Sequence, residues 1–356
     1  MGAVFVSVAL KNLTDLAEWG FDDIIDVRAP TEFAHDHIPG AFNMPALTDA
    51  QRAEVGTIYV QDSPFKARKI GAAYVARNVA DHIEQHLADK DGGWRPLVHC
   101  WRGGQRSSSF GSILAQIGWR VQVLEGGYQA YRRLVVQAMY DQPVPHRFIL
   151  LDGATGTAKT EVLGLLREAG AQVLDLEGIA NHRGSLFGAR TTDQPSQKFF
   201  EGQIALSLAG LETNFPIFVE AESNRIGQLK IPPTLWQAMC SAPRVTLSAS
   251  VEARAAYLVR TYADILEDVS ELETRIEALR PYQPRTKIDE WHENALNRDY
   301  FALAQGLMVD HYDPRYAKAQ KRHNHTELDR ISISELVQPT LRTQVVPQLM
   351  ALAGYT

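Results

Sequence analysis

Cysteine is scarce in this chain. Cys100 and Cys240 are the only two in 356 residues, which excludes a disulfide scaffold and a cysteine zinc cluster. Long apolar runs are also missing: none approaches the roughly 20 residues needed to span a bilayer. There is no excess of basic charge, because Lys+Arg 36 against Asp+Glu 42 leaves a formal net charge of −6. Any contact with nucleic acid must therefore come from a local patch and not from a cationic coat. The opening MGAVFVSVAL lacks a basic segment before its apolar stretch, so the expectation is no signal peptide, no membrane association and a cytoplasmic, reducing home. What is present suits a globular protein: 45% hydrophobic and 22% charged residues, in a chain long enough for two domains with their own cores.

Short apolar runs alternate with helical patterns. DDIIDVR (22–28), RPLVHC (95–100) and WRVQVLEGG (119–127) read as strands. FKARKIGAAYVARNVADHIEQHL and SSSFGSILAQIG between them have helical periodicity. Such alternation predicts a parallel α/β sheet covered on both faces. The proline-bearing stretch MYDQPVPHR (139–147) marks a joint, dividing the chain into domains at 1–140 and 146–356. The second is also α/β, with strands predicted at FILLDG (148–153), AQVLDLEG (171–178), PIFVEAES (216–223) and RVTLSAS (244–250). Beyond 251 the pattern is helical.

The first reactive candidate is Cys100, at the end of a predicted strand and before the loop WRGGQRSSS and a helix. Such a turn points backbone N–H groups and a positive helix end into one concavity. A thiol there has a lowered pKa, which Arg102 and Arg106 are expected to lower further. Gly103 and Gly104 let the backbone curl. Two chemistries share this layout, since His99-Cys100 followed by Arg106-Ser107 also fits the H-C-x5-R-S loop of cysteine phosphatases. DVRAPTEFAHDHIPGAFNMP and VQVLEGGYQAYRR resemble the flanking signatures of rhodanese domains, in which the cysteine carries a chalcogen. That resemblance makes Asp26 and Arg28 supports of the loop. His35 and His37 are read as loop residues, and no metal site is expected. Cys240 is read as packing.

The second candidate is Gly153-Ala154-Thr155-Gly156-Thr157-Ala158-Lys159-Thr160, between a strand and a helix. It is close to G-x-x-x-x-G-K-[ST], in which backbone amides and Lys hold a di- or triphosphate and Thr160 can reach a bound Mg2+. Ala158 stands where the pattern has glycine; its Cβ restricts φ and crowds a phosphate, so nucleotide hydrolysis is not implied. Glu220 and Glu222 end a strand like that of a Walker B motif. Asp175, Glu177, His182 and Arg183 close or follow another strand, where ligands of α/β sheets bind.

With CWRGGQRS, GATGTAKT, DLEGIANHRGSLFG, QPSQKFFE, VEAESNRIG and DHYDPRY in that order, nearly the whole chain resembles the bacterial tRNA 2-selenouridine synthases, which join a rhodanese domain to a P-loop domain. The resemblance implies a transferase acting on the wobble 2-thiouridine of tRNAs for Lys, Glu and Gln. It replaces sulfur by selenium from selenophosphate, through an S-geranyl intermediate made from geranyl diphosphate. Selenium transfer then falls to Cys100, while the diphosphate suits the loop at Gly153–Thr160. No tightly bound cofactor is expected, and a selenophosphate-supplying enzyme is a natural partner. Trp101 is placed to stack on an unpaired base. Arg315, Lys318, Lys321 and Arg322, with His323 and His325, form the densest basic stretch, and Arg254 and Arg260 are further candidates for tRNA contact. A cysteine phosphatase and a non-catalytic sulfur carrier are the competing readings.

Overall fold

The computed structural model describes residues 5–183, 192–221, 223–266, 269–320 and 326–355. They form two compact units, Met1–Gln142 with Pro195–Gly210, and Pro143–Gln194 with Leu211–Thr356.

The first unit holds an all-parallel sheet of β1 (Val6–Val8), β2 (Asp23–Asp26), β3 (Ala41–Asn43), β4 (Pro96–His99) and β5 (Gln122–Leu124), in the order β1-β5-β4-β2-β3. β4 is central and buried at all four positions. Pro96, Leu97 and Val98 are accordingly apolar without alternation, as expected of a strand covered on both faces. Ile25, Val98, Phe110 and Leu114 lie in the core around it. The helix Gln197–Ala209 belongs to this unit although the sequence places it far beyond residue 140. The reason is chemical: Glu201 is buried and receives hydrogen bonds from Arg132 and Tyr140, and Gly202 leaves room for the Tyr131 ring.

The second unit contains β6 (Phe148–Asp152), β7 (Val173–Leu174), β8 (Ile217–Glu220), the antiparallel ribbon β9 (Arg225–Ile226) with β10 (Leu229–Lys230), β11 (Arg244–Ser248) and β12 (Glu327–Ser332). Its main sheet is parallel, in the order β12-β11-β6-β8-β7. Leu151, Val162, Leu166, Phe218 and Val245 share its core.

β1, β3 and β12 were not expected from the sequence. β12 lies in the stretch read as wholly helical. It is an edge strand with only Ile331 buried, so it carries neither an apolar run nor an alternating pattern to announce it. The strand predicted at 119–127 shrinks to Gln122–Leu124, because Gly126 and Gly127 both take positive φ and open the next helix.

Two candidate sites: a cysteine cradle and a phosphate loop

Cys100 follows the carboxyl end of the central strand β4, and the chain turns there into the helix Gln105–Ile117. The side chain is buried, at 4% exposure. Its Sγ accepts hydrogen bonds from the Gly104 N–H at 3.2 Å and from the Ser107 hydroxyl at 3.2 Å. Burial pushes the thiol up, but the Ser107 hydroxyl and the backbone N–H groups of Ser107, Arg102 and Gly104 outweigh it and hold the thiol below its ordinary value. The thiolate is thus stabilised by oriented amides at a helix N-terminus.

The amides act as expected, but the two arginines expected to lower the pKa further are engaged elsewhere. Arg106 pairs with Glu32 at 2.7 Å, and Arg102 donates to the Gln129 side chain at 3.2 Å. Gly103 has φ +68, and a Cβ there would lie 2.6 Å from the Leu124 carbonyl. Gly104, by contrast, has φ −99 and open space around it, so its donor and not its flexibility matters. Gly127 escaped the sequence reading: with φ +55, it lies where any Cβ would run into the Cys100 carbonyl. Tyr128 N–H then donates to that carbonyl at 2.8 Å, and Gln129 N–H to the Trp101 carbonyl at 3.1 Å, which ties down the reactive loop. The only sequence signal was the doubled glycine after a strand.

Asp26 and Arg28 are both buried and paired at 2.6 Å. Arg28 also donates to the Asp36 carbonyl at 2.6 Å and lies 4.1 Å from the centre of the Tyr128 ring. Trp101 stacks on the other aromatic of this group, Tyr128, at 5.2 Å and 25° between planes, and remains partly exposed. Two clefts meet at Trp101, one lined by Glu32, Arg52 and Arg106, the other by Arg102, Arg132 and Arg133. His37 stacks on Phe33 at 3.8 Å and lies 4.4 Å from Phe199. Among the described residues no group of three or more His, Cys, Asp or Glu is arranged to hold a metal ion.

The hydroxyl of Ser107 gives a direct test of the cradle. Ser107→Ala removes the hydroxyl that donates to sulfur, together with its contact to the Gly104 carbonyl at 3.0 Å, and leaves the backbone amides in place. The thiolate is the reactive form, and a lowered pKa keeps wild-type alkylation fast below the pH at which a free thiol loses reactivity. The variant's rate–pH midpoint with iodoacetamide is expected to rise by about one unit, slowing alkylation near neutral pH roughly tenfold. An unchanged midpoint removes Ser107 from the account.

In the second unit, the loop after β6 runs into the helix Lys159–Glu168. Ala158 adopts φ +61 and ψ 25, the left-handed conformation usually left to glycine. Its side chain is buried in the core with Ile149, Val162 and Leu166, so the methyl group that was expected to crowd a phosphate turns inward. Lys159 Nζ donates to the Gly153 carbonyl at 2.8 Å, and the Thr157 hydroxyl to Ala154 at 2.8 Å. Gly156 lies under Arg254 and Leu258 of the helix Val251–Thr261. Arg254 is buried, pairs with Asp313 at 2.7 Å and donates to the Thr155 carbonyl at 3.2 Å. It braces the loop and is not exposed as a contact for RNA would be. Arg260 reaches Glu161 and the Leu336 carbonyl.

Of the acids near this loop, Glu177 is buried and accepts from the Thr160 hydroxyl at 2.9 Å. Asp175 instead caps a short helix, taking the Gly178 N–H at 2.7 Å. Glu220 is fully buried at the end of β8. His182 is buried, with its N–H donating to the Glu177 carbonyl, and the Arg183 guanidinium lies 4.8 Å from the centre of the Tyr262 ring. Arg315 stacks over Tyr282 at 4.6 Å, and Lys318 is exposed. Glu222, Lys321, Arg322, His323 and His325 lie outside the described residues.

The fold and its two loops define a protein that joins a rhodanese-like cysteine domain to a phosphate-loop α/β domain. The family model described as a rhodanese-like domain matches residues 9–134, and that of the tRNA 2-selenouridine synthase AAA domain matches residues 146–287. The chain is 31% identical over 342 residues to a tRNA 2-selenouridine synthase of Pseudomonas syringae pv. syringae (strain B728a), covering 86% of this chain and 90% of that protein. It is 33% identical over 343 residues to that of Hahella chejuensis (strain KCTC 2396), covering 84% and 86%. Among solved structures, the N-terminal domain of a putative ATP/GTP binding protein from Clostridium difficile 630 is similar at 34% identity and a TM-score of 0.31, over 37% of this chain and 99% of that one. The chain belongs to the tRNA 2-selenouridine synthase family. No helix among the described residues is long and apolar enough to cross a membrane.

Proposed function

We propose that the protein replaces the sulfur of wobble 2-thiouridine, at position 34 of tRNAs for Lys, Glu and Gln, by selenium from selenophosphate. The route runs through S-geranyl-2-thiouridine made from geranyl diphosphate. The observation that carries this reading is the Cys100 cradle: a buried sulfur that accepts hydrogen bonds from Ser107 and a loop amide, within a chain whose relatives are named tRNA 2-selenouridine synthases. Geranylation makes chemical sense as a first step, because an alkylated sulfur leaves carbon far more readily than a thiocarbonyl does.

In prenyl transfer the nucleophile is the base sulfur and the leaving group is pyrophosphate. The loop at Gly153–Thr160 suits that group, with Lys159 stabilising the charge it gains. Where Mg2+ accompanies the diphosphate, Thr160 and Glu177 are the hard oxygen donors at hand, their oxygens 2.9 Å apart. A cysteine phosphatase would need a general acid beside Cys100. Glu32 is poorly suited: burial pushes it up, but the Arg106 and Arg52 guanidinia outweigh that and keep it ionised below the usual carboxylate range. Trp101 and the arginines beside it are the natural contacts for an unpaired anticodon base and its phosphates.

The test is mass spectrometry of nucleosides from 2-thiouridine tRNA incubated with the protein. Geranyl diphosphate alone should yield the S-geranyl nucleoside, and added selenophosphate should convert it to 2-selenouridine. No modified nucleoside under either condition overturns the proposal.

A further inference from the structure

Beside the phosphate loop the second unit contains a partly open cavity of about 70 Å3. Leu258, Val259, Tyr262, Leu266, Leu303 and Met308 are among its walls, and Thr155 of the loop forms part of the same lining. The helix Val251–Thr261 joins the two features. Arg254 donates to the Thr155 carbonyl, and Leu258, one turn further on, contacts the loop at Gly156 and also faces the cavity. From this continuity we infer that the cavity receives the hydrocarbon tail of the diphosphate ester whose head the loop at Gly153–Thr160 binds.

Two physical arguments select this occupant. An empty apolar space lowers stability with its volume, so one kept beside a phosphate loop calls for a ligand to fill it. Its walls are almost wholly aliphatic and aromatic, and the Tyr300 hydroxyl is turned away to the Leu266 carbonyl at 3.0 Å. A nucleobase there would leave most of its donors and acceptors without partners, at a cost of about 1–3 kcal/mol per group, whereas an isoprenoid chain has none to satisfy. The cavity thus discriminates between two ligands that a phosphate loop alone would treat alike, a nucleoside triphosphate and a prenyl diphosphate. This inference rests on the geranyl diphosphate reading and adds to it where the tail lies.

Calorimetric titration of the full chain separates the two. The probes are inorganic pyrophosphate, dimethylallyl, geranyl and farnesyl diphosphates, and ATP. Wild type should bind geranyl diphosphate at least about tenfold more tightly than pyrophosphate or ATP, the expected return from burying an apolar chain. Val259→Trp, at a partly exposed wall, should bring geranyl diphosphate to within about threefold of pyrophosphate while leaving pyrophosphate binding intact. Leu266→Ala, which enlarges the space, should move the preference toward farnesyl diphosphate. If geranyl diphosphate outbinds pyrophosphate yet neither variant changes the chain-length preference, the tail lies elsewhere and only this inference falls. If ATP outbinds geranyl diphosphate in wild type, the geranyl diphosphate reading falls, and this inference with it.

Discussion

Replacing Cys100 by alanine is expected to abolish 2-selenouridine formation while the S-geranyl nucleoside still accumulates. The reasoning is local to the first unit. The thiolate is the one strong nucleophile in the cradle, and the Gly104 N–H and Ser107 hydroxyl that aim at it have no other sulfur to serve. Loss of a nucleophile of this kind costs at least about a thousandfold in rate, or roughly 4 kcal/mol of barrier. Cys100→Ser keeps the shape of the buried side chain at a slightly smaller volume, yet its alcohol is not ionised at neutral pH, and it should be equally inactive. Circular dichroism and thermal melting would confirm that both variants fold. The decisive readout is the nucleoside mixture from 2-thiouridine tRNA given geranyl diphosphate and selenophosphate. Selenouridine persisting at the wild-type level in both variants removes the cysteine from the chemistry.

Lysine 159 is expected to behave in the opposite way. Its Nζ now donates to the Gly153 carbonyl at 2.8 Å, inside the loop that would hold a diphosphate. A bound pyrophosphate leaving group offers far stronger acceptors, because hydrogen bonds to a charged oxygen are roughly twice as strong as those between neutral groups. Lys159→Ala should therefore lower S-geranyl formation by about 100- to 1,000-fold. Supplied with tRNA that is already S-geranylated, the same variant should form 2-selenouridine at close to the wild-type rate, and Cys100→Ala should not. Such reciprocal defects divide the two chemistries between the two units. Loss of selenation of geranylated tRNA in Lys159→Ala would instead mean that the phosphate loop serves both steps.

Much of this was legible in the sequence because it depends on short-range order. A buried strand, a glycine-bearing turn and a helix are contiguous in the chain at both Cys100 and Lys159, so spacing alone places the cysteine at one strand–helix turn and the phosphate-loop pattern at the other. Ala158 shows how far such reading reaches. Its departure from glycine was visible, but whether its methyl group meets a ligand or the core depends on the direction of Cβ at φ +61, which only the folded loop defines. The turn at Cys100 made the backbone amides legible as the source of its lowered pKa, but the Ser107 hydroxyl beside the sulfur and the engagement of Arg102 and Arg106 elsewhere depend on side-chain placement that only the folded loop defines.

The sequence by itself determined two α/β domains, the thiol, the phosphate loop and, through the order of its motifs, the family. The tertiary structure decided which side chains from distant positions complete each site. Gly127 packs beneath the Cys100 loop, Glu177 meets Thr160, and Arg254 with Asp313 braces Thr155. It also decided that the helix Gln197–Ala209 joins the first unit and that residues between 258 and 312 enclose an apolar space beside the second loop. The physical reason is common to all of these. Local hydrogen bonding and periodicity are encoded within a few residues, whereas a cavity or a buried pair exists only once segments separated by tens of residues have packed.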